Sequence, residues 1–215
     1  MKNLLTILGL TSLIAFQAHA SGYNTYRVTI TNATSHHVLT PAVFSVHDRN
    51  FNVFNVGDSA SPGLVHQAEN GDPSIIVSEL EGSHGVQSVT VGTGLVPYGQ
   101  SASFDIVASK KSSFSITSML ATTNDAFAAI NNEMLPKRSA TYFAYAYDAG
   151  SEMNNESCAY IPGPPCTPES GNARAETVDG FISIHNGVQG GGDLNPKHLD
   201  WRGPVAIVTV TRIND

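Results

Sequence analysis

The side chains with the most chemistry to offer are acidic and lie where apolar runs end. Tyr147-Asp148-Ala149-Gly150-Ser151-Glu152 carries two carboxylates four positions apart around a glycine. A glycine there lets the chain turn so that both carboxylates face one ion. A second segment, Ala121-Thr122-Thr123-Asn124-Asp125-Ala126-Phe127, offers Asp125 in a loop rich in Thr and Asn. Three carboxylates from two loops suit calcium, which takes about six to eight oxygens and fills its shell with carbonyls and water. The spacing is not that of an EF-hand loop. Taken residue by residue, plainer roles stand beside this one: a solvated loop position for Asp148 and Glu152, and the N-cap of a short helix for Asp125.

Catalysis is the competing chemistry. The chain has eight histidines, and one of them with an acidic partner, or a metal at His36, His37 or His185, would suit a secreted hydrolase. No G-x-S-x-G elbow, H-E-x-x-H pair, Walker A loop or G-x-G-x-x-G turn occurs. His36 and His37 are adjacent, so in an extended segment they point to opposite faces and make a poor metal pair.

The elements that must position these residues read as strands. Tyr26 to Thr31 alternates Tyr26, Val28 and Ile30 with Arg27, Thr29 and Thr31, the period of a half-buried strand. Val205 to Arg212 is largely β-branched and too apolar at its start for a sheet edge. Further strands are expected at Ala42 to His47, Phe51 to Val56, Val86 to Val91, Ser101 to Ala108, Phe114 to Met119, Thr141 to Tyr147 and Phe181 to His185. Gly and Pro separate most of them. Ser61-Pro62 followed by Leu64, Val65 and Ala68, with Asn70-Gly71 at the end, predicts a short helix. A second short helical turn is expected over Ala126 to Ile130, capped by Asn124 or Asp125. Long amphipathic helices alternating with strands are missing, which argues for an all-β, antiparallel β-sandwich rather than a doubly wound fold.

Composition narrows the setting. Of 215 residues, 13% are charged and 41% hydrophobic, a globular balance rather than a disordered one. The formal charge of −7 excludes a broad basic surface and hence a nucleic-acid partner. Residues 1–20 read as a secretory signal: Lys2, an apolar stretch from Leu4 to Phe16, then Ala18-His19-Ala20 as the cleavage site. One domain over 21–215 follows, with no transmembrane segment after signal removal and a secreted or periplasmic location. In an oxidising compartment Cys158 and Cys166, with seven residues between them, are expected to form a disulfide. Closing a loop this short contributes about 2 to 3 kcal/mol in the chain-entropy estimate, less where prolines already stiffen it.

Several segments together resemble one family. Ser118-Met119-Leu120 through Asp125-Ala126-Phe127, then Tyr147 through Glu152, then Trp201 to Arg212, resemble the spondin N-terminal domain in its bacterial form. The likeness extends to Tyr26–Asn32, Gly57 to Pro62, His185-Asn186-Gly187 and Gly192-Asp193-Leu194. It implies an antiparallel sandwich of about eight strands related to C2 domains. It also implies Ca²⁺ held by Asp125, Asp148 and Glu152, with no catalytic group. Animal members often carry Asp at the last position; Glu152 adds a methylene, which alters denticity. The reeler and thrombospondin modules that accompany the animal domain do not fit in this chain. The expected partner is a cell-surface protein, a glycan or a lipid headgroup.

Overall fold

The computed structural model describes residues 22–166, 174–176 and 180–214, so the leader segment lies outside the described residues. The fold is mostly antiparallel sheet, with strands Tyr23–Asn32 (β1), Val43–His47 (β2), Val86–Val91 (β3), Ser101–Ser109 (β4), Ser113–Met119 (β5), Ala126–Met134 (β6), Ser139–Asp148 (β7), Ser183–Ile184 (β8) and Ala206–Arg212 (β9). Helices are few: Pro62–Asn70 (α1), Ser74–Glu81 (α2) and the single turn Pro196–Leu199 (α3).

The strands follow the order β3-β2-β5-β6-β7-β9-β1-β4, with β8 added beside β7. β7 is the corner of this path. Its first part, Ser139–Ala144, pairs with β9, and its last residues, Tyr145 to Asp148, pair with β6. The path nearly closes on itself. Leu39 bridges Val96 and Leu120, and Phe44 of β2 lies edge-on to Phe104 of β4, 5.9 Å away, while stacking on Phe114 of β5 at 5.0 Å. Tyr26, Val28 and Ile30 of β1, Val208 and Val210 of β9, and Ile116 and Ile130 of β5 and β6 join the same core.

A second apolar layer covers the outer face of β2, β5 and β6. Leu64 and Ala68 of α1 and Ile76 and Leu80 of α2 pack there with Val43, Phe127, Ala129 and Phe54. With both faces covered, β2 and β5 are buried at every position. α1 begins and ends where its sequence predicts: Ser61 Oγ accepts the Leu64 N–H at 3.2 Å, and Gly71 closes the helix at φ +70°. Glu79 of α2 adds a second cap, accepting the Gly63 N–H and the Ser61 hydroxyl, each at 2.7 Å.

Three local expectations are corrected. Ala126 to Ile130 is not a helical turn but the start of β6, and Asp125 caps no helix. Alanine favours helix in isolation, yet here Ala126, Ala128 and Ala129 fill narrow space between two apolar layers, and packing overrides propensity. Phe51 to Val56 forms no ladder; Asn131 holds that segment by accepting the Val53 N–H at 3.1 Å and donating to the Phe54 carbonyl at 2.7 Å. Phe181 to His185 shrinks to the two residues of β8. The third helix and α2 extend the expected helical content.

Candidate functional site

Pairing of β6 with β7 brings the two acidic segments together. Ala126 lies opposite Asp148, so the loop that ends in Asp125 and the turn that begins at Asp148 leave the sheet side by side. Thr123 shapes the first loop: its hydroxyl donates to the Leu120 carbonyl at 2.7 Å and accepts the Ala126 N–H at 3.1 Å. The second turn depends on Gly150, which sits at φ +66° against the Phe181 backbone, where any Cβ would overlap.

Asp125 is fully buried. Its Oδ2 accepts three bonds from the turn: Ser151 N–H at 2.8 Å, Glu152 N–H at 2.9 Å and the Ser151 hydroxyl at 3.1 Å. Its Oδ1 is buried with no hydrogen-bond partner among the described residues. Glu152, also buried, accepts the Ala175 N–H on Oε1 at 3.1 Å, and its Oε2 is likewise unpartnered. Asp148 is turned differently: Oδ1 accepts the Gly150 N–H at 2.7 Å and Oδ2 takes a short bond from the Asn154 amide. The sequence-predicted trio is therefore assembled around one turn. No group of three or more His, Cys, Asp or Glu side chains converges at metal-binding distance among the described residues.

The electrostatics follow from burial. Desolvation, then the neighbouring Asp148 charge, pushes the Asp125 carboxyl up to about 6 despite the three donors on Oδ2. Burial, then Glu69, pushes Glu152 up to about 7, with Asp125 adding a smaller repulsion, against the lowering effect of the Ala175 N–H and of the nearby Asn124 side chain. Ionised, both groups hold charge away from water with one oxygen unsatisfied. A bound divalent cation would meet that deficit.

Several residues around the turn carry no obvious sequence signal. Glu156, at φ +54°, takes the backbone N–H groups of Gln189, Gly190 and Gly191 on its carboxylate, at 2.7 and 2.8 Å for the two glycines. It pins the Gly-rich loop to the rim. Arg174 reaches the Ser151 carbonyl at 3.2 Å and Glu69 Oε1 at 3.1 Å. Glu69 alone had a signal in the sequence: an acid in the last turn of a predicted helix, where the dipole disfavours it.

Beside this rim lies a groove of 370 Å³ lined mainly by His36, Val38, Tyr98, Pro164, Pro165 and His198. The His36 ring centre stands 5.5 Å from Tyr98 and 5.6 Å from His198. The Cys158–Cys166 disulfide closes the loop that supplies the prolines, and the Thr122 hydroxyl donates to the Pro164 carbonyl at 2.7 Å. One loop thus carries both Asp125 and an anchor of the groove wall.

The histidines are placed as follows. His36 is exposed and His37 buried, opposite in environment as neighbours should be. His37 Nε2 donates to the Leu199 carbonyl at 2.6 Å, and burial holds its pKa below the usual imidazole value. His185 Nδ1 accepts the Gly187 N–H at 3.0 Å, which leaves Nε2 to donate to Asn154 Oδ1 at 3.2 Å. Ser115 Oγ stands 2.8 Å from His47 Nε2, a contact the sequence did not reveal, but both residues are sealed within the sheet.

No helix among the described residues is long and apolar enough to cross a membrane. No model of a known protein family matches the chain, and no curated protein matches it in sequence.

Proposed function

We propose that this chain is an exported calcium-binding module of the spondin type, a C2-like β-sandwich without catalytic chemistry, whose cation-ordered rim recognises a cell-surface protein, a glycan or a lipid headgroup. One observation carries the reading: Asp125 Oδ1 and Glu152 Oε2 are buried carboxylate oxygens without hydrogen-bond partners. Leaving such atoms bare costs about 1 to 3 kcal/mol each, more when charged, and a divalent cation removes that cost. The donor set fits a hard cation, being all oxygen. Asp125 and Glu152 would supply the open oxygens. Asp148 would contribute a remaining lone pair, since each of its oxygens accepts only one bond. When bound, the ion supplies charge neutralisation and cross-links the two loops. The protein's own contribution is the pre-formed turn: Gly150 sets its shape and Asp125 Oδ2 holds it closed.

A recognition role for the rim draws support from the apolar groove beside it, tied to the Asp125 loop through Thr122. The disulfide supports an extracytoplasmic location. A hydrolase finds less support. Among the described residues neither His36, His37 nor His185 hydrogen-bonds a carboxylate, and the Ser115–His47 contact is inaccessible. His66 does meet Asp72, Nε2 to Oδ2 at 3.1 Å, but the nearby Ser74 hydroxyl bonds that same carboxylate and not the imidazole.

Thermal unfolding in excess EDTA and then in millimolar Ca²⁺, repeated with Asp148→Ala, tests the reading. Calcium should raise the midpoint of the wild type and not of the variant. Equal midpoints in all four conditions would remove calcium from the account.

A further inference from the structure

A third apolar cluster, Ile161, Cys166, Val188, Leu194 and Leu199, gathers the disulfide loop, the Gly-rich loop and α3 into a lobe apart from the two sheet layers. Trp201, the chain's single tryptophan, packs against both this lobe and the main core, so it marks the seam between them. His37 stands at that seam, fully buried, with its ring edge-on to Trp201 at 5.0 Å, and His185 lies 5.1 Å from the same indole. The His37 Nε2–H donates to the Leu199 carbonyl at 2.6 Å, and the Ser35 hydroxyl donates to the His198 carbonyl at 2.8 Å. His36 and Val38 come from one side of the seam and His198 and Leu199 from the other, and all four line the groove. The two bonds therefore stitch one groove wall to the other.

Only one neutral tautomer of His37 makes this stitch. A carbonyl accepts, so Nε2 carries the proton and Nδ1 is a bare acceptor, buried with no hydrogen-bond partner among the described residues. A second proton, on Nδ1, would put a charge and an unpaired donor in a site sealed from water. The titratable groups acting on the ring divide: His36 from its own segment and His185 after β8 repel that charge, while Asp200 after α3 attracts it. Asp200 is itself engaged, by the Val188 N–H at 3.2 Å and by Arg202 at 4.0 Å. Burial outweighs Asp200 and the Leu199 bond, which holds the ring neutral. We propose that His37 is an acid-sensitive clasp between the sheet and the disulfide lobe: neutral, it closes the seam and fixes the groove, and protonated, it leaves the Leu199 carbonyl for water and frees α3 with its groove wall. The clasp is independent of the cation reading above.

Hydrogen exchange of the whole protein in EDTA between pH 7.5 and pH 5.5 tests this. Protection factors are compared for the Leu199 and Asp200 amides, which bond Asn195 and Pro196 in α3, and for the amides that pair β1 with β9. Opening of the clasp should grow up to about tenfold over the pH unit below 6.5, the ordinary imidazole value, so the α3 amides lose that much protection while the sheet amides keep theirs. Trp201 emission should shift to the red over the same range as the indole gains water. His37→Gln, whose amide can donate to the Leu199 carbonyl but does not titrate, should keep its protection throughout, and His185→Gln should follow the wild type. A wild-type α3 with protection independent of pH, or an equal fall in His37→Gln, would overturn the proposal. Loss of the fall in His185→Gln alone would assign the switch to His185 and overturn it likewise. Should His37→Gln fail to fold, nitrogen-15 spectra of the wild-type imidazole decide: an Nε2–H ring titrating below 6.5 in step with the exchange upholds the clasp, and one titrating at or above 6.5 overturns it.

Discussion

Replacing Asp125 by Asn separates the cost of burying a charge from the benefit of binding an ion. The carboxyl titrates at about 6 in the fold against a reference value of 3.8, chiefly because it is buried and secondarily because Asp148 is near. A raised folded value means that the neutral acid is favoured by folding: the contribution is complete below about 4 and is lost as pH rises through 6. At pH 8 without metal, ionised Asp125 thus costs about 3 kcal/mol relative to its neutral form. Asn keeps an acceptor for the Ser151 and Glu152 N–H groups and carries no charge. In EDTA, urea denaturation should show Asp125→Asn gaining on the wild type by about 1.4 kcal/mol between pH 5 and pH 8, the part of the total that is lost above pH 5. Taking the difference between the two proteins cancels the buried histidines, His37 and His47, whose lowered pKa values weaken the fold as pH falls through 6.5. In saturating Ca²⁺ the order should reverse, because the charged carboxylate holds the ion more tightly than a neutral amide oxygen. A variant less stable than the wild type by the same amount at pH 5 and pH 8 in EDTA would refute the burial argument. It would mean that the three donors on Oδ2 outweigh desolvation.

Other parts of the rim give independent tests. Glu156→Ala should cost about 3 kcal/mol in urea denaturation, since three backbone N–H groups of the Gly-rich loop lose their acceptor; an unchanged midpoint would show that water replaces it freely. Gly150→Ala, which strains a positive φ and overlaps the Phe181 backbone, should cost more than about 2 kcal/mol and abolish any calcium-induced rise in Tm. Paired Cys158→Ser and Cys166→Ser changes should lower stability by about 2 to 3 kcal/mol, measurable by denaturation under non-reducing conditions. Ser61→Ala should cost about 1 kcal/mol through loss of the α1 cap.

Much of the sheet was legible because its strands obey simple rules. β1 alternates cleanly, since one face meets the core and the other water, and β3 spans Val86–Val91 as expected from its flanking punctuation. β6 was hidden for the opposite reason. Covered on both faces by the core and α1, it shows no alternation, and its alanines favour helix until neighbours are present. The site showed the same division. Asp148 and Glu152 stood out as carboxylates around a glycine and Asp125 as one in a loop rich in Thr and Asn, and β6–β7 pairing sets the two segments side by side. Glu69, Arg174 and Glu156 reach the rim from α1, from beyond the disulfide loop and from a residue held at positive φ. Their partners are distant in sequence, so local spacing announces neither Arg174 nor Glu156, and Glu69 shows only as an acid in the last turn of a predicted helix.

The central claim is that a divalent cation belongs at Asp125 Oδ1 and Glu152 Oε2, the unpartnered carboxylate oxygens of the two acidic segments. A crystal grown at pH 8 in millimolar Ca²⁺, with diffraction data collected for anomalous signal, reads this directly. The account predicts a single strong peak bonded to Asp125 Oδ1 and Glu152 Oε2, at oxygen distances of about 2.3 to 2.6 Å. No peak at the rim, with both oxygens bare or bonded to protein donors, would contradict it.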